Sequence, residues 1–123
     1  MDNVRPVDDD GLGNAGPAQR WTQMLHDRSQ GAVGCEVRLI RTPGGSGSPD
    51  GLHVHDFEQV FYLLEGEMNI EVDGVESVVQ ACSAIVFPQG VPHRNWNAGS
   101  LPTLHLAINA PAPDLDKPIS RPV

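Results

Sequence analysis

Residues 51–66 read GLHVHDFEQVFYLLEG, and the spacing of three polar side chains in this stretch indicates a metal site. His53 and His55 stand two positions apart, so on a β-strand both side chains lie on one side of the sheet. Gln59 shares their parity if the strand runs on, and His93 is a further imidazole. Neutral imidazole is the commonest side-chain metal ligand, so the pattern predicts one divalent ion per chain. Its predicted ligands are His53, His55, Gln59 and His93.

The same stretch resembles the first motif of the cupin superfamily, in which two histidines separated by one residue precede an acidic ligand and a glycine. Residues 87–97, FPQGVPHRNWN, resemble the second motif, in which Pro-x-Gly precedes a histidine and an asparagine. The resemblance spans about residues 33–110 and is to the small, quercetin-dioxygenase-like members of the superfamily. It implies an all-β, single-domain fold, the cupin-type double-stranded β-helix or jelly roll. It also implies that Asn97 forms local hydrogen bonds that hold its strand.

Two positions depart from the pattern of the family. Most metal-binding members carry glutamate where this chain has Gln59, and the second motif usually opens with Gly-Asp where this chain has Cys82-Ser83. The change at Cys82 affects a turn, because glycine at that place serves backbone geometry. The change at Gln59 concerns the metal itself.

A glutamine ligand neutralises none of the charge of a divalent ion, so the ion would remain a stronger Lewis acid. Two other interpretations of Gln59 stay open. Its side chain could swing free, leaving the three histidines to hold the ion. Glu58 could take its place if a bulge reversed the local parity of the strand.

Length and charge limit the classes of function. The chain has 123 residues, room for one domain, and a net charge of −8 with eight basic residues that form no cluster. Nucleic acid and anionic membrane surfaces are therefore not expected as partners. No apolar run is long enough for a transmembrane helix, and the acidic N-terminus does not resemble a signal peptide, which predicts a cytoplasmic protein. Cys35 and Cys82 are expected to be free thiols.

Composition divides the chain into three parts. Residues 1–18 are predicted to be a flexible arm, residues 19–110 the cupin β-barrel domain, and residues 111–123 a proline-rich tail. Short alternating segments bounded by turn residues predict an all-β sandwich or barrel, and no segment of twelve or more residues has helical periodicity. The predicted strands cover residues 21–26, 33–42, 60–64, 68–72, 75–79, 84–87 and 101–108. Asp73-Gly74 is typical of a two-residue hairpin turn.

Alternation along two of these strands predicts which face of each is buried. In residues 33–42 the apolar face is expected to pack, with Glu36 and Arg38 on the other side; the apolar set is Val33, Cys35, Val37 and Leu39. In residues 101–108 the expected core face is Leu104, Leu106 and Ile108. The opposite face of that strand carries His105 together with Thr103, Ala107 and Asn109.

His105 and three aromatic residues complete the candidate site. His105 is a candidate catalytic residue, as a general base or as a support for the metal ligands, although a solvent-facing histidine fits the same pattern. Phe57, Phe61 and Trp96 are candidate walls of a substrate pocket. Each aromatic could equally be ordinary core.

The leading hypothesis for function is a mononuclear metal-dependent dioxygenase acting on a chelating hydroxy-ketone, diketone or catechol-like molecule. The alternative is redox-neutral Lewis-acid chemistry on the same scaffold, as in a cyclase, isomerase, lyase or hydrolase, and a third possibility is a non-catalytic binding module. The ion could be iron, manganese, nickel or zinc, since all four accept histidine and amide ligands. The resemblance also implies a homodimer.

Overall fold

The fold consists of two antiparallel β-sheets that close around a shared interior. The computed structural model describes residues 3–16, 18–47 and 51–123. Within them lie an α-helix, α1 (Asp9–Asn14), a 3-10 helix (Arg28–Gln30) and ten strands. The strands are β1 (Trp21–His26), β2 (Glu36–Thr42), β3 (His53–Val54), β4 (Glu58–Glu65), β5 (Glu67–Val72), β6 (Val75–Gln80), β7 (Ser83–Phe87), β8 (His93–Trp96), β9 (Thr103–Ala110) and β10 (Arg121–Pro122).

Each sheet has five strands, and the order of strands differs from the order along the chain. The first sheet runs β1-β2-β9-β4-β7, and the second runs β10-β3-β8-β5-β6. The prediction of an all-β single domain is confirmed. The core lies between the sheets and consists of Ile40, Phe61, Leu63, Met68, Ile70, Ile85, Phe87 and Ala107.

Two tight turns fix the register of the strands. Asp73 and Gly74 both have positive φ, at 51° and 82°, and join β5 to β6 as the predicted two-residue hairpin, with Val72 opposite Val75. Gly66 has φ +88°, and a Cβ built there would lie 2.9 Å from the carbonyl oxygen of Pro102. Only glycine fits that junction between β4 and β5.

The predicted orientation of the second strand is wrong, although Leu39 is buried as expected. The strand begins at Glu36, and Val33, expected to be buried, is 60% exposed. Glu36, expected on the outer side, is only 2% exposed and lies inside the barrel. A buried carboxylate is tolerated there because Arg38 and Asn109 both donate hydrogen bonds to it.

The faces of the last long strand are also reversed relative to the prediction. In β9 the buried residues are Thr103, His105, Ala107 and Asn109. Leu104, Leu106 and Ile108, expected to be core, are half-buried on the outer face of the first sheet. The barrel therefore directs a polar face inward along both β2 and β9, which are hydrogen-bonded neighbours.

The segments outside the barrel are tied to it. Arg41 donates hydrogen bonds to the carbonyls of Leu12, Ala15 and Gly16, which anchors α1, a helix inside the predicted flexible arm. The predicted tail returns as β10, which pairs with β3 at the edge of the second sheet. No helix in the described ranges is long and apolar enough to cross a bilayer.

The backbone at Cys82 supports a prediction about stability. Cys82 has φ +66°, a left-handed conformation that glycine adopts without penalty, and its side chain is exposed. Cys82→Gly is therefore expected to raise the free energy of unfolding by about 1 kcal/mol, the left-handed penalty less the entropy that glycine loses on folding. Denaturation in urea with a reductant measures the change. Cys82→Ala, which removes the thiol but keeps Cβ, should give no gain; an equal gain would contradict a backbone cause.

Candidate metal centre and adjoining cavity

Three imidazoles meet at one end of the barrel interior. His53 lies on β3 directly opposite His93, the first residue of β8, and His55 follows β3 by one residue. The ring centroids are 4.4 to 4.9 Å apart. One ring nitrogen from each histidine lies within 4.8 Å of the others, close enough to share one ion after small ring movements.

The turn before β8 delivers His93 to this point. Val91 donates its backbone N–H to the carbonyl of Pro88, and Gly90 has φ +75°. The N–H of Gly90 donates to the carbonyl of His55, which ties the turn to the histidine segment. The predicted turn at residues 88–90 is thus confirmed, and it places the histidine that is most distant in sequence.

Backbone carbonyls set the tautomer of two of the rings. Nδ1 of His55 lies 2.7 Å from the carbonyl oxygen of Ile119, and Nδ1 of His93 lies 3.0 Å from that of Val91. A carbonyl oxygen only accepts, so each Nδ1 carries the proton and each Nε2 presents a lone pair. Both Nε2 atoms are buried without a hydrogen-bond partner among the described residues. Inward-facing lone pairs without partners fit a metal ion.

The protonation state agrees with this arrangement. Burial lowers the pKa of His53 and of His55, and it lowers the pKa of His93 to about 4. For His55, the hydrogen bond with the Ile119 carbonyl and the neighbouring Gln59 side chain oppose the shift of the pKa. All three rings are therefore neutral near pH 7, the form that binds metals.

Gln59 reaches the same place from the other sheet. His53 belongs to the second sheet and Gln59 to β4 of the first, so the chain crosses between sheets at residues 55–57. The strand therefore does not run on from His53 to Gln59, the condition under which their parity was compared, although Gln59 is buried on the inner face as expected. Glu58 is exposed on the opposite face of β4, and the register has no bulge there that would turn it inward.

A chain of hydrogen bonds fixes the orientation of the Gln59 carboxamide. The Glu36 carboxylate only accepts, so Asn109 donates to it through Nδ2 at 2.7 Å. Oδ1 of Asn109 must then accept, and Nε2 of Gln59 donates to it at 2.9 Å. The oxygen of Gln59 is thereby left free of the relay, so that it and Nε2 of His55 could both face a metal ion at the histidine cluster. This relay gives a physical reason for glutamine here, since glutamate would place an acceptor against an acceptor.

A cavity of about 150 Å³ adjoins the cluster. Its lining includes His53, His55 and Gln59, but also Arg20 and Arg38, which the sequence analysis did not assign to the site. Glu36 and Arg38 alternate on one face of the strand, and this pattern indicated that they lie together. That face was predicted to be exposed to solvent, whereas it faces the cavity. Arg20 immediately precedes β1 and carries no recognisable motif.

The other predicted site residues are distributed around the cluster. Phe61 lines the cavity, whereas Phe57 stacks on His55 with centroids 4.7 Å apart and faces a different groove. Trp96 lies under the Arg94 guanidinium at 4.5 Å, outside this cavity. Asn97 donates to the carbonyls of Leu101 and Thr42, which confirms its structural role.

His105 lies behind Phe61, its ring centroid 4.3 Å from that of Phe61, and does not line the cavity. Both ring nitrogens are buried without a hydrogen-bond partner among the described residues, so the solvent-facing interpretation is wrong. In this position His105 does not reach a molecule in the cavity directly. A catalytic role for His105 stays a prediction.

These features define a β-barrel with a candidate metal site, and comparison with known proteins places it in a family. The sequence model of the cupin domain, Cupin_2, matches residues 38–109, so the chain belongs to this family. The chain is 27% identical over 108 residues to the tetracenomycin polyketide synthase protein TcmJ of Streptomyces glaucescens, covering 73% of this chain and 72% of that one.

Two solved structures are similar to the fold. The polyketide cyclase RemF of Streptomyces resistomycificus superposes with a TM-score of 0.70 at 24% identity, over 85% of this chain and 70% of that one. An RmlC-like cupin of Methanocaldococcus jannaschii with a double-stranded β-helix gives 0.72 at 15% identity, over 91% and 93%. The predicted double-stranded β-helix is thus confirmed, while the quercetin-dioxygenase-like subtype stays a prediction.

The relay predicts a coupling between Gln59 and Glu36. Gln59→Glu should lower the free energy of unfolding of the metal-free protein by about 1 to 3 kcal/mol, because two acceptors then face each other. Adding Glu36→Gln lets the Asn109 amide turn over and donate to the new carboxylate, so the double variant should lose less than the sum of the single variants. Urea denaturation at pH 7.5 with a chelator measures all four proteins.

Gln80→Glu is the matched control for this cycle. Gln80 also donates to a carboxylate, that of Glu67, but on the exposed surface. Its change should stay within about 0.5 kcal/mol. Strictly additive effects of Gln59→Glu and Glu36→Gln would contradict the relay.

The buried position of His105 predicts a pH dependence of stability. Burial lowers the pKa of His105 from 6.5 to about 3, so between these values the unfolded chain binds a proton that the folded protein does not. Above pH 6.5 His105 is neutral in both states and does not change the free energy of unfolding. As the pH falls from 6.5 toward 3, protonation of His105 in the unfolded chain lowers the free energy of unfolding. His105→Gln should therefore reduce the loss of unfolding free energy between pH 7.5 and pH 5 by about 1 to 2 kcal/mol. Denaturation of metal-free protein at both pH values tests this, and equal losses would place the acid sensitivity elsewhere.

Proposed function

We propose that this protein is a metal-dependent enzyme that acts on a small organic molecule by redox-neutral chemistry. The observation that carries the proposal is the donor set: the buried Nε2 atoms of His55 and His93, the ring of His53 and the oriented oxygen of Gln59. All four are neutral, so a bound divalent ion would keep its full charge. Such an ion would supply Lewis acidity toward a carbonyl or enol oxygen of the substrate.

Other residues of the chain orient the proposed ligands and form the wall of the cavity. The Ile119 and Val91 carbonyls hold two imidazoles in the tautomer that presents Nε2. The Glu36–Asn109 pair keeps the Gln59 oxygen directed inward. Phe61 provides an apolar wall against which a planar substrate can pack.

The relatives support redox-neutral chemistry over dioxygen chemistry. TcmJ is a tetracenomycin polyketide synthase protein, and RemF is a polyketide cyclase. Cyclisation of a polyketide joins carbon centres activated by neighbouring carbonyls. We therefore favour a cyclase- or isomerase-like reaction on a carbonyl-rich molecule, for which an ion held by the histidines and Gln59 would supply Lewis acidity.

Exchange of carbon-bound hydrogen tests the proposal without knowledge of the natural substrate. Zinc-loaded protein under nitrogen should speed the exchange of the C2 hydrogens of a 1,3-diketone with deuterated water, followed by proton NMR at a pH where the buffer reaction is slow. His93→Ala should reduce the rate to that of buffer with free zinc, because it removes one of the imidazoles. His26→Ala, a histidine outside the cluster, should retain the activity.

Dioxygenase chemistry stays the competing prediction, and an oxygen electrode separates the two. Cleavage of the diketone with matching oxygen uptake by iron-loaded protein would overturn the redox-neutral proposal. If metal-loaded protein showed no hydrogen exchange and no oxygen uptake, the third prediction, a binding module, would be favoured. Mass spectrometry of untagged protein should find about one metal per chain in the active preparation.

We also propose that the protein is a homodimer formed through the outer face of the first sheet. Val60 lies opposite both Val86 and Ile108, and Tyr62 lies opposite Leu106, which makes a continuous, partly exposed apolar face. Val86→Glu should shift sedimentation from dimer to monomer, because it places a charge in this face. Val78→Glu on β6 is the control, since Val78 and Val86 are both 53% exposed. A monomeric wild-type protein would contradict the proposal.

A further inference from the structure

The cavity beside the metal centre carries more positive charge than its surroundings balance. Two guanidinium groups, of Arg20 and Arg38, line it together with His53 and His55. Arg38 is paired, since its Nε donates to the Glu36 carboxylate at 2.8 Å. That carboxylate is almost fully buried and also accepts from Asn109. It is thus committed to one arginine and to the relay.

Among the described residues Arg20 has no such partner. It forms no hydrogen bond and no ion pair with them, and Arg38 is the charged group that acts on its pKa. Although the residue as a whole is exposed, partial burial of the guanidinium and then the charge of Arg38 lower the pKa of Arg20. Two like charges therefore face one cavity, and a single carboxylate offsets them.

This local charge contrasts with the chain as a whole, whose net charge is −8. An acidic protein that leaves a guanidinium unpaired at the edge of a site concentrates its positive potential there. A divalent ion on the histidines would add to that potential. The planar guanidinium fork matches a carboxylate in geometry as well as in charge.

We propose that the cavity selects a small organic anion, a carboxylate whose neighbouring oxygen reaches the metal centre, and that Arg20 is its specificity-determining residue. This inference rests on the proposed function and adds the substrate class. Arg38 keeps Glu36 in place, while the Arg20 fork donates to the carboxylate of the ligand. Phe61 lies against the carbon skeleton between these two contacts.

A pair of probes that differ in charge tests this assignment. 2-Hydroxybenzoate and 2-hydroxybenzamide have similar size, the same phenolic oxygen and a second oxygen in the same place, but only in the first does that oxygen belong to a charged carboxylate. Calorimetry on zinc-loaded wild-type protein should show that the benzoate binds at least about tenfold more tightly, as expected for a charge-assisted pair. In Arg20→Gln this ratio should fall to within about threefold, and Arg20→Lys should restore part of it.

Arg94→Gln is the control for a general loss of positive charge. Arg94 pairs with Glu71 and Glu76 on the second sheet and does not line this cavity, so its variant should keep the wild-type ratio. Zinc content and circular dichroism should be equal in all variants. An unchanged ratio in Arg20→Gln, or no measurable binding of the benzoate by wild-type protein, would overturn the inference.

The same titration on metal-free protein separates this inference from the proposed function. If the wild-type protein bound no metal, the proposed function would fail, but an Arg20-dependent preference for the benzoate in metal-free protein would still support the anion site. If zinc bound with full stoichiometry and the preference did not depend on Arg20, the metal centre would be supported and the proposed anion site would be contradicted.

Discussion

A neutral imidazole has one donor nitrogen and one acceptor nitrogen, and each must be satisfied if the ring is removed from water. In this barrel the backbone satisfies only the donor side of His55 and His93, through the carbonyls of Ile119 and Val91. The acceptor side of both rings is buried and open. An unsatisfied buried acceptor is costly, so the two sheets and the turn at residues 88–90 hold an arrangement that a ligand completes.

A second constraint comes from Glu36, which connects the candidate metal site to the cavity through hydrogen bonds. Its carboxylate orients Asn109 and thereby Gln59, and it also balances Arg38. One buried charge thus determines which atom of an amide faces the histidines and which of two arginines is left for a ligand. The polar interior of β2 and β9 functions as one network, and the departure of Gln59 from the family pattern belongs to it.

Local sequence patterns were sufficient to predict the three histidines. The other features of the site depend on contacts between residues that are distant in the sequence, which such patterns do not show. Parity within a strand and the residues of one turn were enough for His53, His55 and His93. Gln59 is buried beside the histidines as expected, but not through the parity of one strand, since the chain crosses between sheets before it. Glu36 and Asn109 are 73 residues apart, and alternation alone assigned the apolar face to the interior. The Ile119 carbonyl is a backbone group that no side-chain pattern reveals, and Arg20 belongs to no recognisable sequence motif.

The short strand β10 has a consequence for how fast the site exchanges its contents. It has two exposed residues, held by the Arg121–Asp56 ion pair and by a hydrogen bond from Val123 to Leu52. So small an edge strand can open locally while the barrel stays folded. Opening would release the His55 ring from Ile119 and widen the cavity on the side of residues 119–120. Fraying of this edge would then limit the lifetime of an ion bound at the histidines, while the barrel would determine its affinity.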